Sequence, residues 1–528
     1  MQASEQLNNS TQLIRNIVIV GGGTAGWLTA NHLAKQLNAK HCDEISITLI
    51  ESPNIPTIGV GEGTVPLIRK SLAELGISES EFIKECDVTF KQGIKFVDWL
   101  NNPIAGKPHH YHHIFDYPLI NEFDHLTAYW LKGLAGENTS FVDATAFQGK
   151  ICDFGLAPKD ITQAEYQGHN SYAYHLDAAK FAKLLTKHAC NNLGVKHILA
   201  QVDDVELHLN GDIKALHTDV AGIISADLFV DCSGFDSILL GKALNVKFID
   251  KSDVLFADHA MAMQVPYEDP EQDIPSFTIS TAKQAGWIWD IGLTKRRGTG
   301  YVYSSAHTTH DEAEQTIRDY IGPAADSLEA RKIAMNIGYR EKFWHKNCVA
   351  IGLSQGFVEP LEATGLLVFD VTAKMLAQQF PSNRGHMDIL AKKFNERVSS
   401  SWEKVIDFIK LHYVLSKRDD SDFWLENRDI TKCSQTLQER LQLWQHQVPS
   451  AYDFASGFEI FNLENYLYVL YGMDFNTNIE SMDFRFQNTK QATEFFNKIK
   501  QHADMLTTKL PKHRELINKI HRFGLQKR

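Results

Sequence analysis

A glycine-rich turn near the start of the chain carries the first residues whose types and spacing could do chemistry. Residues 21–26 form a GxGxxG motif, and Glu51 closes the next apolar run. Glycine allows a sharp turn and a close backbone approach to a diphosphate, which a helix N-terminus attracts. A carboxylate after the second strand can accept hydrogen bonds from ribose hydroxyls. The pattern predicts a dinucleotide site formed by Gly21, Gly23, Thr24, Ala25, Gly26 and Glu51.

The elements that would position this site form a βαβ unit. Residues 16–20 (NIVIV) are apolar and mostly β-branched, as in a strand buried on both faces. Residues 25–37 predict a helix, and residues 46–51 (SITLIE) predict a second strand.

Two later segments repeat the combination of an apolar strand followed by glycine. They cover residues 226–234 (ADLFVDCSG) and 347–352 (NCVAIG), and the second ends at Gly352. Both are similar to the second and third flavin-contacting elements of FAD proteins, which simple dehydrogenases lack. FAD is therefore favoured over NAD as the cofactor, with Gly352 as a further candidate contact.

The remaining patterns extend this unit to an α/β (α+β) fold. Apolar and polar residues alternate over 250–310, which predicts an inserted mixed or antiparallel sheet. From about Thr372 the chain is mainly helical and rich in aromatic residues. We expect a discontinuous Rossmann-like FAD-binding domain with the inserted sheet at 14–375 and a mainly helical substrate-binding region at 376–528.

Composition excludes several classes of protein. The 528 residues carry a formal net charge of −12 without long charge runs, so a nucleic-acid-binding surface is not expected. The seven cysteines are dispersed, which favours reduced thiols. No segment reaches the roughly 18 apolar residues of a membrane span, and the N-terminus lacks the features of a signal peptide. We therefore expect a cytoplasmic enzyme without a nucleic-acid or membrane partner.

Four motifs in a fixed order carry a resemblance to a known family. They read IVIVGGGTAGW, IPTIGVGEGTVP, FKQGIKFVDW and GLSQGFVEPLEATG, and they are accompanied by YHHIF, AYHLDA, DLFVDCSG and HYVLSKRDDSDFW. This set resembles the flavin-dependent tryptophan halogenases over roughly residues 14–480. The resemblance implies that reduced FAD and oxygen convert a bound halide to hypohalous acid, which reaches a lysine beside an aromatic substrate. It also implies a separate NAD(P)H:flavin reductase, and homodimers are common in the family.

By this resemblance Lys91 and Glu362 are the catalytic residues. The Lys91 ammonium could polarise hypohalous acid through a hydrogen bond, or the neutral amine could be N-halogenated. Glu362 would stabilise the cationic ring and accept its proton. Glu359 would share a face with Glu362 if the segment were helical. Ala363 stands where the family commonly has serine, so the hydroxyl that would link lysine and glutamate is absent.

The same motifs imply a halide site and mark the flavin environment. Thr364 and Gly365 match the backbone segment that holds the halide in the family. Trp287 and Trp289 resemble the WxWxIP signature, with Gly292 in place of proline. On a strand, the two tryptophans would lie on one face, either near the flavin or simply as core residues.

The substrate site is predicted from three aromatic positions. His113 and Phe115 match the family's ring-stacking residues, whereas a metal site in the cluster of residues 109–113 is not expected. Phe461 lies where a stacking tryptophan is usual, and Ser456 lies about where a glutamate anchors the amino acid. Without ionic anchors, we expect indole or a substituted indole to be preferred over free tryptophan.

Two other functions remain compatible with the motifs. An aromatic hydroxylase would use the same cofactor, but it has no need for the pair Lys91 and Glu362. A non-enzymatic flavin-binding redox protein would tolerate Gly292 and Ala363, but it would not need to keep both catalytic residues. Bromide is favoured over chloride, and carbon 3 is the expected position of reaction if the substrate is indole.

Overall fold

A six-stranded sheet contains the N-terminal apolar run. In this computed structural model, which describes residues 12–55, 61–119, 126–454 and 459–527, all four predicted strands belong to it. In spatial order the strands are Trp344–His345, Cys348–Ala350, Leu228–Asp231, Asn16–Val20, Ser46–Glu51 and Lys196–Leu199. All neighbours pair in parallel except the first two. The first strand of the chain thus lies inside a parallel sheet, and Rossmann-like folds bind dinucleotides at the carboxyl ends of such strands.

A helix at Thr24–Gln36 follows the central strand, which confirms the predicted βαβ unit. Its close packing explains the third glycine of the motif, because a Cβ on Gly26 would lie 1.9 Å from the carbonyl oxygen of Gly21. Gly21 itself has a φ of 120°, and its own Cβ would lie 2.1 Å from the carbonyl oxygen of Cys232. These two glycines allow the turn and its contact with the neighbouring strand.

A seven-stranded sheet confirms the predicted insertion. Its strands pair antiparallel, except that Thr278–Lys283 runs parallel to Gly93–Val97. In spatial order they are Arg331–Ala334, His259–Pro266, Arg296–Tyr303, Gly286–Gly292, Thr278–Lys283, Gly93–Val97 and His110–Ile114. The sheet reaches back to residues 93–114, well before the segment whose alternation predicted it, because two early strands complete one edge.

Three small sheets connect these layers. One places Ala173–Leu176 between Glu62–Gly63 and Thr89–Lys91, so that Gly63 and Lys91 come from the two outer strands of the same small sheet. The others contain the strands Val202–Leu207, Ile213–Thr218 and Gly222–Ile224, and Phe248–Asp250, Gly338–Arg340 and Gly356–Phe357.

Helices cover the sheets and form most of the C-terminal part. The helical part starts at Thr364, directly after a left-handed Ala363, and not near Thr372 as predicted. Trp402 of helix Arg384–Val414 shares one apolar core with Trp287 of the large sheet. The α-helices besides Thr24–Gln36 are Leu67–Leu75, Glu79–Glu85, Thr127–Leu131, Phe141–Thr145, Gln148–Asp153, Ala178–Leu193, His310–Ile321, Thr364–Gln378, Arg384–Val414, Asp422–Asn427, Gln435–Trp444, Leu463–Gly472, Thr489–Lys509 and His513–Phe523. Within the described ranges, no helix combines the length and the apolar character needed to cross a membrane.

Replacing Gly26 by alanine tests the packing of the glycine turn. The added methyl group would overlap the carbonyl oxygen of Gly21, so we expect Gly26→Ala to lower the free energy of unfolding by about 1–3 kcal/mol. The control is Gly23→Ala, because a Cβ on Gly23 would meet no atom within 4 Å. Equal unfolding midpoints in urea for both variants would contradict the role of this contact.

Candidate active site

A cavity of about 530 Å³ opens at the carboxyl ends of the parallel strands. Most of the predicted cofactor residues line it, together with residues of the seven-stranded sheet and of the segment before helix Thr364–Gln378. The lining residues that the sequence analysis named or that lie beside them are Gly21, Gly22, Gly23, Thr24, Ala25, Glu51, Lys91, Trp287, Trp289, Ala363 and Gly365. The fold therefore brings the predicted cofactor site and Lys91 to one cavity.

The glycine turn in this cavity has the features of a diphosphate site. Gly23 is the N-cap of helix Thr24–Gln36 and supplies no side-chain cap, so the first amide groups of the helix lack a side-chain acceptor there. The space over Gly23 is open, since a Cβ there would meet nothing within 4 Å. Amide donors at an open helix N-terminus fit the diphosphate of FAD.

Glu51 lies on the cavity wall next to the turn. A Cβ on Gly22 would lie 2.1 Å from Glu51 Cδ, so this glycine leaves room for the carboxyl group. His197 Nε2 lies 2.9 Å from Glu51 Oε2 and orients it. Gly352 has a φ of 90°, and its Cβ would lie 2.7 Å from that of Ala25, so it packs behind the turn and is not among the lining residues. The residues present fit FAD, whose ribose would find a hydrogen-bond acceptor in Glu51.

The two tryptophans lie on one face of strand Gly286–Gly292, as predicted. Their ring centroids are 6.4 Å apart, and both line the cavity. A Cβ on Gly300 would lie 2.1 Å from the Trp289 ring, so glycine is required on the adjoining strand. Trp287 Nε1 donates a hydrogen bond of 2.6 Å to Glu359 Oε2.

Glu359 is a fully buried carboxyl group that the sequence analysis left without a role. Its Oε2 also accepts a hydrogen bond of 2.7 Å from Tyr413, whereas its Oε1 has no partner within the described residues. Burial raises the pKa of Glu359 to about 7, although the hydrogen bonds from Tyr413 and Trp287 act in the opposite direction. The group therefore connects the tryptophan strand to helix Arg384–Val414.

Lys91 is a buried cation on the wall of the cavity. Its side chain is 1% exposed, and Nζ lies 5.4 Å from the centre of the Phe115 ring. Burial lowers the pKa of Lys91 to about 8, although the negative charge of Glu362 acts to raise it. A desolvated amine on the wall of a cavity is available to a reactant.

Gly63 separates Lys91 from the segment that contains Glu362. A Cβ on Gly63 would lie 3.2 Å from Lys91 Nζ and 3.6 Å from both Ala363 Cβ and Thr278 Oγ1. The side chain of Ala363, which replaces the family's serine, thus faces the lysine across a glycine. The resemblance implied that no serine hydroxyl links Lys91 to Glu362 in this chain. The hydroxyl group of Thr278 lies in the same space.

Glu362 is held by two histidines. It is 2% exposed, and His113 Nδ1 lies 3.0 Å from Oε1 and 2.9 Å from Oε2. His412 Nε2 lies 2.9 Å from Oε1. Burial alone would raise the pKa of Glu362, but the charge and hydrogen bond of His113, together with His412, lower it to about 2. Glu362 is therefore ionised at neutral pH.

Glu359 and Glu362 do not share a helical face. Residues 358–363 form no helix, so the two side chains diverge. Glu359 turns to Trp287 and Tyr413, and Glu362 turns to His113 and His412.

The predicted stacking residues have partners within the protein. His113 is bonded to Glu362 and to Asn465, whose Oδ1 lies 3.0 Å from His113 Nε2. The Phe461 ring stacks on Phe408 at 3.9 Å between centroids, and the His113 ring lies 5.7 Å from the same phenylalanine. Phe408 thus links two of the three positions, while Phe115 faces Lys91. Ser456 lies outside the described residues.

The predicted halide segment opens helix Thr364–Gln378. Ala363, at its N-cap, has a φ of 55° and provides no side-chain cap. The hydroxyl of Thr364 is buried and has no hydrogen-bond partner among the described residues, and Gly365 lines the cavity. Free amide and hydroxyl donors at a helix N-terminus suit an anion.

The histidine-rich segment divides between two environments. His112 Nε2 lies 2.9 Å from Asp153 Oδ1 near the surface, whereas His113 faces the interior. Across the described ranges, no group of three or more His, Cys, Asp or Glu side chains is placed to hold a metal ion.

Sequence reasoning did not assign His412, Tyr413 or Asn465. His412 and Tyr413 begin the HYVLSKRDDSDFW motif, which was a signal of similarity but not of function. Their roles depend on contacts over about 50 residues of sequence, such as the approach of Tyr413 to Glu359 with a separation of 54 positions.

Comparison with known proteins agrees with this geometry over nearly the whole chain. A sequence profile of the tryptophan halogenase family matches residues 16–483. Tryptophan 6-halogenase SttH of Streptomyces toxytricini is 35% identical over 520 residues, which cover 94% of this chain and 97% of that protein. Tryptophan 7-halogenase RebH of Lentzea aerocolonigenes is 32% identical, with 96% of this chain and 99% of that protein covered.

Solved structures give the same result. The crystal structure of tryptophan halogenase from Shewanella frigidimarina NCIMB 400 has a TM-score of 0.92 and 44% identity, covering 98% of this chain and 99% of that one. Tar14, a tryptophan C-6 flavin-dependent halogenase from taromycin biosynthesis, has a TM-score of 0.88 and 37% identity, covering 96% of this chain and 100% of that one. The chain therefore belongs to the tryptophan halogenase family and is a flavin-dependent halogenase.

Proposed function

We propose that this enzyme uses FADH2 to halogenate an indole-type aromatic substrate, with Lys91 and Glu362 as its catalytic residues. The observation that carries the proposal is the buried Lys91 amine, which lines the same cavity as the glycine turn and whose pKa is lowered by burial to about 8. A hydroxylase would have no use for such a group next to an ionised buried carboxylate. A separate flavin reductase would supply the reduced cofactor.

The cofactor would bind along the glycine turn and the tryptophan strand. Gly21, Gly23 and Thr24 would hold its diphosphate, and Glu51 would accept hydrogen bonds from its ribose. When bound, reduced FAD would supply the two electrons that reduce oxygen, so that one oxygen atom ends in the hypohalous acid formed from the halide and the other ends in water. Trp287 and Trp289 would exclude water from this wall of the cavity.

The halide would bind at the start of helix Thr364–Gln378. The amide groups of Thr364 and Gly365 and the unpaired Thr364 hydroxyl are its proposed donors. We propose that bromide is used in preference to chloride, because bromide is the more easily oxidised of the two.

Lys91 would receive the hypohalous acid. Its ammonium donates a hydrogen bond to the oxygen of the acid and makes the halogen more electrophilic. A neutral amine, which a pKa of about 8 makes accessible near physiological pH, could instead form a nitrogen–halogen bond. In either case the reactive halogen stays at the end of one buried side chain.

Glu362 would act on the aromatic ring. Electrophilic attack leaves a cationic ring, which the ionised Glu362 stabilises before accepting the ring proton. His113, Phe115 and Phe461 are the proposed ring contacts. We further propose that indole or a substituted indole is preferred over free tryptophan, the substrate named for the relatives. In the sequence, residues 449–466 contain no paired tyrosines, and Ser456 stands about where a glutamate would anchor the amino acid.

Product analysis tests the proposed reaction directly. Indole and tryptophan are incubated separately with the enzyme, FAD, a flavin reductase, NADH and either bromide or chloride, and products are identified by mass spectrometry. We expect a monohalogenated product, more from indole than from tryptophan, which falls by at least about 10²-fold in Lys91→Ala.

Three outcomes would contradict parts of this proposal. A product heavier by one oxygen atom would establish a hydroxylase. A lower KM for tryptophan than for indole would overturn the substrate preference alone. Full activity of the Lys91 variant would remove this residue from the mechanism.

The cost of burying Lys91 predicts an effect on stability. Its folded-state pKa of about 8 is below that of an unfolded lysine, so the charged side chain lowers the free energy of unfolding. This loss of stability is complete below pH 8, where Lys91 is charged in both states, and it disappears above about pH 10.4, where it is neutral in both. We expect Lys91→Met to raise the free energy of unfolding at pH 7 by roughly 1–3 kcal/mol.

A second buried lysine provides the matched control. Lys159 Nζ donates to Glu79 Oε2 at 3.1 Å and to the carbonyl oxygen of Ala164 at 2.9 Å. Lys159→Met leaves the buried Glu79 carboxylate without its cation, so stability should fall by about 3–5 kcal/mol. If Lys91→Met were also destabilising at pH 7, a partner must compensate the Lys91 charge.

Flavin affinity tests the role of the open glycine. Gly23→Ala leaves the fold intact but projects a methyl group into the space over the helix N-terminus, so the Kd for FAD should rise by about tenfold or more. Isothermal titration of FAD measures this change. Ser46→Ala, at the far end of the adjoining strand, is the control, and unchanged affinity in Gly23→Ala would place the diphosphate elsewhere.

A further inference from the structure

A buried histidine and a threonine that the proposed mechanism does not use lie beside Lys91. His175 belongs to the middle strand of a small sheet, Ala173–Leu176, and Thr278 begins the strand Thr278–Lys283 of the large sheet. His175 Nε2 lies 2.8 Å from Thr278 Oγ1. The histidine is fully buried, whereas Thr278 lines the cavity. The pair therefore joins the two sheets at the cavity wall.

The small sheet turns His175 and Lys91 to the same side. Side chains alternate between the two faces of a strand, and residues directly opposite each other on neighbouring strands share a face. His175 is opposite Gly63 on one neighbouring strand and opposite Thr89 on the other, and Lys91 follows Thr89 by two positions. Lys91, His175 and Gly63 thus belong to one face of this sheet.

Gly63 leaves a space that Lys91 and Thr278 both border. A Cβ on Gly63 would lie 3.2 Å from Lys91 Nζ and 3.6 Å from Thr278 Oγ1. Ala363 Cβ also lies 3.6 Å from this position, but it offers only a methyl group. An amine and a hydroxyl on two sides of one open space can hold a small polar molecule between them.

The surroundings of His175 determine which of its nitrogens carries the proton. Burial lowers the pKa of His175 well below its usual value, and the positive charge of Lys91 acts in the same direction, so the ring is neutral. Its Nδ1 is buried and has no hydrogen-bond partner within the described ranges. A buried N–H group without an acceptor is rarer in proteins than an unpaired acceptor, which places the proton on Nε2. His175 Nε2 then donates to Thr278 Oγ1.

The Thr278 hydroxyl retains a hydrogen for the cavity. A hydroxyl oxygen that accepts a hydrogen bond still has its own hydrogen to donate. Because Thr278 lines the cavity, this hydrogen can point into the space that Lys91 Nζ borders. Thr278 is thus a donor of fixed position next to a buried cation.

We propose that Thr278 is a further catalytic residue, which donates a hydrogen bond to the oxygen of hypohalous acid at Lys91, and that His175 positions it. The proposal rests on the role of Lys91 given above. The oxygen of hypohalous acid has two lone pairs, so it can accept from the Lys91 ammonium and from Thr278 together. Two donors fix the direction of the oxygen–halogen bond, whereas a single donor lets the acid rotate about one contact.

The two donors assist the transfer of the halogen. The ring carbon forms a bond to the halogen, and the oxygen–halogen bond breaks with its electron pair on oxygen. Negative charge develops on that oxygen, where both donors stabilise it. The oxygen takes a proton from the Lys91 ammonium and leaves as water, and the ring proton accepted by Glu362 replaces the one that Lys91 has lost.

Escape of hypohalous acid from the site tests this role. Thr278→Val removes the hydroxyl and keeps the shape of the side chain. With the halide and the aromatic substrate that the wild-type enzyme uses best, we expect kcat to fall by about tenfold, with little change in the KM for the aromatic substrate. A diketone trap in solution should capture at least about twofold more of the hypohalous acid, because an acid that is held less firmly escapes.

Two further variants separate the hydroxyl from packing. Thr278→Ser keeps the hydroxyl and should retain most of the wild-type kcat. Thr281→Val makes the same exchange on the same strand, at a buried residue that is not among those lining the cavity, and it should leave the trapped fraction unchanged. Equal losses of kcat in Thr278→Val and Thr278→Ser would overturn the proposal, and so would a wild-type trapped fraction in Thr278→Val.

Two measurements do not depend on turnover. The Kd for FAD, measured by isothermal titration, should be the same in Thr278→Val as in the wild-type enzyme, and a weaker Kd would instead assign Thr278 to cofactor binding. Nitrogen-15 NMR of the histidine-labelled wild-type enzyme should show His175 neutral at pH 7, with its proton on Nε2. A proton on Nδ1 would overturn the positioning role of His175.

The Lys91 variant distinguishes failure of this proposal from failure of the proposed function. If Lys91→Ala lost its activity while Thr278→Val behaved as the wild type, only the role of Thr278 would fail. Full activity of Lys91→Ala would remove the site at which Thr278 acts, and both proposals would then fail together.

Discussion

The buried carboxylate of Glu362 is the constraint on which the active site depends. An ionised group that is 2% exposed is stable only if positive charge and hydrogen bonds replace water around it. His113 provides both from the large sheet, and His412 approaches from helix Arg384–Val414. The opposite charge of Lys91 comes from a third element, a small sheet. The site therefore exists only when all three elements are folded against each other.

Close contacts of glycine residues with the backbone and with aromatic rings determine the shape of the cavity wall. Gly26 and Gly300 lie where any side chain would overlap a carbonyl oxygen or the Trp289 ring. Glu359 fixes the neighbouring Trp287 through its indole nitrogen and is itself bound by Tyr413. Since Tyr413 directly follows His412, one turn of helix orients both the tryptophan wall and the second histidine of Glu362.

The arrangement separates two demands that oppose each other. In the proposed mechanism, oxidation of the halide needs a dry wall and anion donors, whereas the aromatic substrate needs a nearby negative charge and a base. Lys91 lines the cavity, while Glu362 lies beyond Ala363, outside the set of lining residues. Gly63 lies between Lys91 and Ala363, and because it has no side chain the space between them stays open. Burial makes each charge costly for stability and at the same time strong in its effect on a reactant.

The sequence by itself determined the βαβ unit, the glycine turn, the tryptophan pair and the family, because these depend on local periodicity and on contiguous motifs. It also named Lys91 and Glu362, although only by resemblance. Tertiary structure alone decided that Glu359 and Glu362 point to different partners and that His412 faces Glu362. Those contacts join residues far apart in sequence, and burial, which shifts their pKa values, arises only when sheets and helices close over them.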